Sequence, residues 1–381
     1  MSWAVDAERA LSGAVAAIDR DTTVITPDDR RFEIGSVTKT MTATVLAQLV
    51  GAGVLRLDDE IGRWLSAGAN GTITVRQLAT HTSGLPSTPP GLSGGRNPWV
   101  GYTFAAAEAD LRRSTPGPGH RRYSNLGYQL LGLILVRATG SDYPSLLTER
   151  LLVPLGMTGS SVGGEYPLGA GGVTATIGDL ARYARACLFP PSNALGAAIT
   201  LAQQPVVDMG DGVRQALGWV VRPGGVCEHS GGTHGFSACV TVDHDRGRAV
   251  AILSDVPGGP ARSDQLKRAA RLVLAGEHPE RPPVPWPDWR DDVLAVARDL
   301  VDGYADRVHS RLVAERRATI TPERLAAAVA KRTGNAGEIT LAHHEVSATG
   351  TVVAEVLIGP VRLRIAVLPT GELGGLAFPP G

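Results

Sequence analysis

Ser36 and Lys39 stand three residues apart at the head of an apolar run over 40–50. Together they could make an activated serine nucleophile. Lysine is scarce in this chain: of 37 lysines and arginines, only Lys39, Lys267 and Lys331 are lysine. Arginine keeps its proton in proteins and cannot act as a base, whereas lysine can once burial or a neighbouring charge lowers its pKa. The run has few breakers and predicts a helix beginning near Ser36, on which positions three apart share a face. The hydroxyl and the amine would then point the same way. Free N–H groups and partial positive charge at a helix N-terminus would favour an alkoxide on Ser36 and a neutral Lys39. Nucleophile, adjacent base and oxyanion donors are the parts that an acyl-enzyme mechanism needs. An S-x-x-K spacing alone is weak, and a capping serine beside a solvated lysine is the alternative.

Two more groups could complete such a site. Tyr123-Ser124-Asn125 follows the break Pro116-Gly117-Pro118-Gly119 and precedes an apolar run over 126–139. Tyr123 could share a proton with Lys39 or Ser36, its phenol drawn below the ordinary value of about 10 by a cationic lysine. Asn125 could donate to a substrate carbonyl; a packed tyrosine and a helix-capping asparagine are the alternative. His229-Ser230-Gly231-Gly232 precedes a predicted strand over 236–243. Small residues there would let a substrate approach backbone N–H groups, and those of Gly232 and Ser36 could form an oxyanion hole. His229 could donate to a substrate carboxylate or polarise the site, and His234 could touch substrate. The alternative is a glycine-rich hairpin with a surface histidine.

These groups need a scaffold. Strands are predicted over 12–19, 22–25, 216–222, 236–243 and 249–254, and helices from Ser36, over 72–80 with a cap near Thr74, over 126–139 stopped by Gly140, and over 177–188. Residues 87–98 and 163–172 read as loops. Strands at both ends and helices between suggest an α+β fold, one antiparallel sheet flanked by helices with an all-helical lobe. The domain expectation is 1–277 for this catalytic part, a Pro-rich linker over 278–288, and a small α+β module over 289–381. That module reads as two helices, 289–312 and 321–331, and a three-strand meander over 338–344, 351–358 and 362–368. It holds no obvious nucleophile.

At 381 residues the chain can bury a large core. Zero formal net charge without long basic or acidic runs argues against nucleic acid and anionic membranes as partners. Cys187, Cys227 and Cys239 are odd in number and scattered, which reads as reduced structural cysteines. Residues 1–20 lack the basic start and apolar core of a secretory signal, and the strongly apolar stretch over 130–136 is too short to span a bilayer. The expectation is a cytoplasmic protein without membrane association. His81, His120, His229, His234 and His244 lack metal-ligand spacing, and no phosphate loop or dinucleotide fingerprint appears, so no metal or cofactor is expected.

Taken together, Ser36-Val37-Thr38-Lys39, Tyr123-Ser124-Asn125 and His229-Ser230-Gly231 resemble, in order and spacing, the three motifs of the serine β-lactamase-like and penicillin-binding protein superfamily. The similarity is greatest to the group of class C β-lactamases, D-alanyl-D-alanine carboxypeptidases and family VIII esterases. Further echoes are residues 32–35, 55–60, 73–84 and Leu155-Gly156-Met157, so that the resemblance covers roughly 10–260. It implies a cleft between sheet and helical lobe, Ser36 as acylated nucleophile, Lys39 and Tyr123 as the base system, Asn125 as substrate-orienting, and His229 to Gly232 as a substrate-binding strand. Three departures matter. His229 stands where β-lactamases usually carry lysine, as in the peptidase and esterase branches; only 35 residues precede Ser36, so a terminal helix of many relatives is expected to be missing; and no secretion signal is read, whereas cell-wall peptidases and β-lactamases work outside the cytoplasm. The expected activity is hydrolysis of a small-molecule ester through acyl-Ser36. The alternative is transfer of the acyl group from an ester or amide to an amine or alcohol acceptor, as in natural-product biosynthesis; peptidase or β-lactamase activity comes next.

Overall fold

Small apolar residues alternating along three strands explain why the sheet can be covered on both faces. The computed structural model describes residues 13–25, 28–92, 97–115, 121–275, 289–302, 304–312, 321–333, 339–346, 352–358, 361–367 and 373–377. They divide into two compact units, Met1–Pro279 and Glu280–Gly381. In the first unit the strands are β1 (Gly13–Ile18), β2 (Thr23–Ile25), β3 (Phe32–Glu33), β4 (Ser161–Val162), β5 (Val173–Ala175), β6 (Val207–Asp208), β7 (Arg214–Gln215), β8 (Val220–Arg222), β9 (Val226–Gly232), β10 (Ser237–Asp243) and β11 (Arg248–Ser254). Eight form an antiparallel sheet in the order β2-β1-β11-β10-β9-β8-β7-β6, so both ends of the segment feed one sheet; β3-β5-β4 form a smaller one.

Its helices are α1 (Thr38–Gly51), α2 (Val75–Ala79), α3 (Phe104–Arg113), α4 (Asn125–Thr139), α5 (Tyr143–Leu147), α6 (Leu168–Gly171), α7 (Ile177–Leu188), α8 (Ala194–Gln203) and α9 (Pro260–Ala275). Successive strand residues point to opposite faces. Ala14, Ala16, Ile18, Val240, Val242, Ala249, Ala251 and Leu253 enter the main core with α1 and α7. Val15, Cys239, Val250 and Ile252 face the other way, against Leu266, Ala269, Ala270 and Leu274 of α9. The three cysteines are buried free thiols.

Some local outcomes match the sequence reading and others differ. The third motif precedes β10 as expected and itself lies in β9, paired residue for residue with β10. The strand expected over 216–222 is shortened to β8, because Gly218 takes a left-handed turn (φ 74°). A Cβ there would sit 2.8 Å from the Lys39 carbonyl oxygen, so α1 abuts the turn. Helices α3, α5, α8 and α9 carry no expectation, and α6 lies within the expected loop over 163–172. The expected Pro116–Gly119 break lies outside the described residues, as does the linker over 278–288.

The second unit holds α10 (Trp289–Val301), α11 (Ala305–Ser310) and α12 (Pro322–Thr333), with β12 (Ile339–Val346), β13 (Val352–Ile358), β14 (Val361–Val367) and β15 (Leu373–Ala377) in consecutive antiparallel order. The long helix expected over 289–312 is interrupted after Val301, and β15 extends the expected meander to four strands. Val293, Val296, Ala297 and Leu300 recur at helical spacing and pack with Ala354, Val356, Leu363, Ile365 and Val367 of the sheet.

Candidate active site

The nucleophile turn is built by glycines. A single 3-10 turn, Gly35–Val37, leads directly into α1, and Gly35 takes φ 48°. A Cβ on Gly231 would lie 1.9 Å from the Ile34 carbonyl oxygen and 2.8 Å from the Ser36 nitrogen; one on Gly35 would lie 2.7 Å from the Gly232 nitrogen. Only paired glycines let this turn press on β9, which brings the Ser36 and Gly232 backbones side by side. Gly231→Ala should therefore displace Ser36, costing about 1–3 kcal/mol of stability by overpacking. A displacement near 1 Å lowers kcat by about 100-fold. Thermal unfolding and ester turnover of this variant check both; wild-type kinetics would contradict the packing account.

Helix α1 is buried on nearly all sides, which its continuous apolar and threonine composition permits. Thr40, Thr42 and Thr44 return their hydroxyls to the carbonyls of Val37, Thr38 and Thr40, and so bury no unmatched donor. Lys39, one residue into this helix, is fully buried. Its Nζ lies 2.9 Å from Ser36 Oγ, 2.8 Å from Asn125 Oδ1 and 2.8 Å from the Ala170 carbonyl oxygen. Among the described residues no carboxylate forms an ion pair with it. Burial accordingly holds its pKa well below the ordinary lysine value. Two of the three neighbours, an amide oxygen and a carbonyl oxygen, can only accept. A neutral amine has two N–H groups for them, which leaves its lone pair for the Ser36 hydroxyl to donate into.

Asn125 is not a cap. Ser124 caps α4, accepting from Gly127 N–H at 2.9 Å, which frees the Asn125 side chain for Lys39. The ring of Tyr123 lies beside the amine, with Nζ 5.0 Å from its centroid. Contrary to the expected lowering by a cationic lysine, burial pushes the phenol up to about 12, and contact with Ser36 draws the other way. Tyr123 is therefore a neutral phenol at ordinary pH.

His229 is buried, and burial foremost pushes its pKa down to about 3. Its Nδ1–H donates to the Ser230 carbonyl oxygen (2.8 Å), which leaves Nε2 an acceptor and not the donor anticipated for a substrate carboxylate. The unfolded chain takes up a proton near pH 6.5 that the folded chain refuses until about 3. Stability should thus fall as pH drops through that window and be untouched by this group above it. Urea midpoints of His229→Gln should lose part of that acid slope; an unchanged slope would contradict a neutral His229.

Ser36, Tyr123, Asn125, His229, Ser230, Gly232 and His234 line one cleft of about 660 Å³. Gly231 is spent on the backbone contact beneath it. His234 is held at the rim: its N–H donates to Tyr166 Oη (2.7 Å), and that hydroxyl donates to His234 Nδ1 (2.6 Å).

His81 belongs to the site and was missed as a functional candidate. It is fully buried at φ 60°, unusual for a residue with a side chain. Its Nδ1 accepts from Ser124 N–H at 3.1 Å, and its ring lies 4.4 Å from that of Tyr123 and 5.1 Å from that of Tyr128. Among the described residues its Nε2 has no hydrogen-bond partner. The sequence signal was present in the turn His81-Thr82-Ser83-Gly84. Arg121 also lines the cleft and carried no signal beyond its nearness to Tyr123. Among the described residues no cluster of histidine, cysteine or carboxylate could hold a metal, and no helix is long and apolar enough to cross a membrane.

Comparison with known proteins adds a family. The Beta-lactamase family model matches residues 4–275. Over 257 residues the chain is 31% identical to the D-alanyl-D-alanine-carboxypeptidase/endopeptidase AmpH of Escherichia coli (strain K12), an alignment covering 55% of this chain and 66% of that protein. It is 25% identical over 314 residues to Penicillin-binding protein 4* of Bacillus subtilis (strain 168), covering 66% of this chain and 67% of the relative. Among solved structures, a Beta-lactamase/D-alanine Carboxypeptidase from Yersinia pestis complexed with citrate superposes with a TM-score of 0.64 at 22% identity, covering 72% of this chain and 96% of the other. A penicillin binding protein from Bacillus halodurans gives 0.61 at 19% identity, with 70% and 98% covered. At these identities the two structures bear on the fold alone.

Proposed function

The chain belongs to the Beta-lactamase family, and from that premise we propose that it performs serine-dependent acyl transfer, releasing to water the acyl group of a small-molecule ester. The observation that carries this reading is the Lys39 amine, buried with no counter-ion among the described residues and 2.9 Å from Ser36 Oγ. In the first half-reaction Ser36 Oγ attacks the ester carbonyl carbon while its proton passes to the Nζ lone pair. The Ser36 and Gly232 N–H groups are the donors nearest the developing oxyanion, and Asn125 orients the substrate. Collapse of the tetrahedral species breaks the carbonyl carbon–alkoxide bond, and the alcohol leaves with a proton relayed from Lys39 through the neutral Tyr123 phenol. In the second half-reaction water attacks acyl-Ser36, gives a proton to the same amine, and Ser36 recovers its own as the acid departs. Ground-state Lys39 is neutral, so each half-reaction begins with an available base.

A second reading, cleavage of a D-alanyl-D-alanine peptide, draws support from the carboxypeptidase relative. Intact-mass spectrometry separates these possibilities. Under our reading a p-nitrophenyl ester leaves an acyl mass on wild-type protein and none on Ser36→Ala, and added amines divert the acyl group only if transfer competes with water. Faster release of D-alanine from an N-acyl-D-alanyl-D-alanine peptide than of alcohol from the ester would favour the second reading. Absence of any adduct with ester or β-lactam would overturn both.

A further inference from the structure

We propose that Arg121 forms an anion subsite of the cleft and selects substrates that carry a carboxylate; this rests on the acyl-transfer reading and names its substrate class. The guanidinium lines the same cleft as Ser36. Its Nε–H and one Nη2–H donate to Gln215 Oε1, at 3.2 and 3.0 Å. That oxygen is aimed, because both Gln215 Nε2 hydrogens are committed to backbone carbonyls, of Ala216 and Trp219, each at 2.9 Å. Gln215 itself is buried. One edge of the guanidinium is thus fixed by a pinned neutral amide. The other, the Nη1 and Nη2 fork, matches a carboxylate in bidentate geometry.

Charge accounting in the cleft points the same way. Arg121, Arg222 and Lys267 line it against a single carboxylate, Glu228. Glu228 is already engaged by Arg222 and Arg271, and Lys267 pairs with Asp264. Among the described residues Arg121 has no ion-pair partner, although partial burial disfavours its charge. A cation held by a neutral amide on the wall of the nucleophile's cleft gains most when a ligand supplies the anion.

The test uses two pairs of probes. One pair carries charge on the acyl chain: the p-nitrophenyl mono-ester of adipic acid against p-nitrophenyl heptanoate. The other carries it on the leaving group: 3-carboxyphenyl butyrate against phenyl butyrate. The expected result is a preference in kcat/KM of at least about tenfold for the anionic member of one pair, as a charge-assisted pair would give. That ratio should collapse toward one in Arg121→Gln, be partly kept in Arg121→Lys, and shrink with added salt. Equal rates within both pairs in the wild-type protein would overturn the subsite, as would a preference unaffected by Arg121→Gln. The neutral esters keep the two claims apart: a Ser36 adduct from p-nitrophenyl heptanoate upholds acyl transfer whatever the charge preference, and its absence with every probe defeats acyl transfer itself.

Discussion

Ser36→Ala should reduce ester turnover by at least about 1,000-fold in kcat/KM, since residual rate would come only from binding and oxyanion donors. The fold should not notice. Ser36 is partly exposed to the cleft, and its hydroxyl satisfies no buried backbone group. Lys39 keeps its two other neighbours, Asn125 Oδ1 and the Ala170 carbonyl, in the variant. Thermal unfolding should therefore stay within about 1 kcal/mol of wild type, as for substitutions away from the core. The covalent adduct formed with an activated ester or a β-lactam should disappear from the mass spectrum. A variant that retains full turnover would remove Ser36 from the chemistry.

The second large effect separates function from stability. Lys39→Met should lower kcat/KM by about 100-fold or more, the contribution of a positioned general base. Yet it should leave the folded protein as stable as wild type near neutral pH, or more so. The sign follows from the depressed amine. Between its folded pKa and the unfolded value near 10.5, the unfolded chain carries a proton that the folded chain does not. Wild-type stability therefore rises with pH across that window, and below it, where the folded chain is protonated as well, the full cost of the buried ammonium is present. Methionine is similar in volume and has no such cost, although Asn125 and Ala170 lose a donor. Lys39→Arg should instead destabilise, because arginine cannot shed its charge. Comparing urea midpoints of wild type and Lys39→Met from pH 6 to 10 checks this. A Lys39→Met protein that loses the upward slope supports a neutral buried lysine; one with an identical pH profile argues against it.

Most of this scaffold was legible because its signals are local. Helix α7 falls on the expected 177–188, set off by the Thr176 cap, and α4 stops at Gly140, which takes φ 72°. The Ser36 and Lys39 spacing proved sufficient to join the two side chains, since a turn of helix does so irrespective of the rest of the chain. What failed was long-range. Nothing in the local pattern around His229 shows that Gly231 packs so close to the Ile34 carbonyl that a Cβ there would lie 1.9 Å from its oxygen. The Tyr123 phenol is raised and not lowered because its burial, which no local pattern shows, outweighs its contact with Ser36. Arg121 was passed over because its partner Gln215 lies 94 residues away in sequence. Where the second unit's helix is interrupted after Val301, an amphipathic pattern continues past the break and hides it.

The protonation of Lys39 can be read directly. With only three lysines in the chain, selective 13C labelling of lysine gives three side-chain resonances, and Lys39→Met identifies one of them. In the intact protein that resonance should titrate well below the ordinary lysine value of 10.5. A Lys39 signal that stays protonated beyond pH 10 would contradict the account, since the amine could not then accept the Ser36 proton.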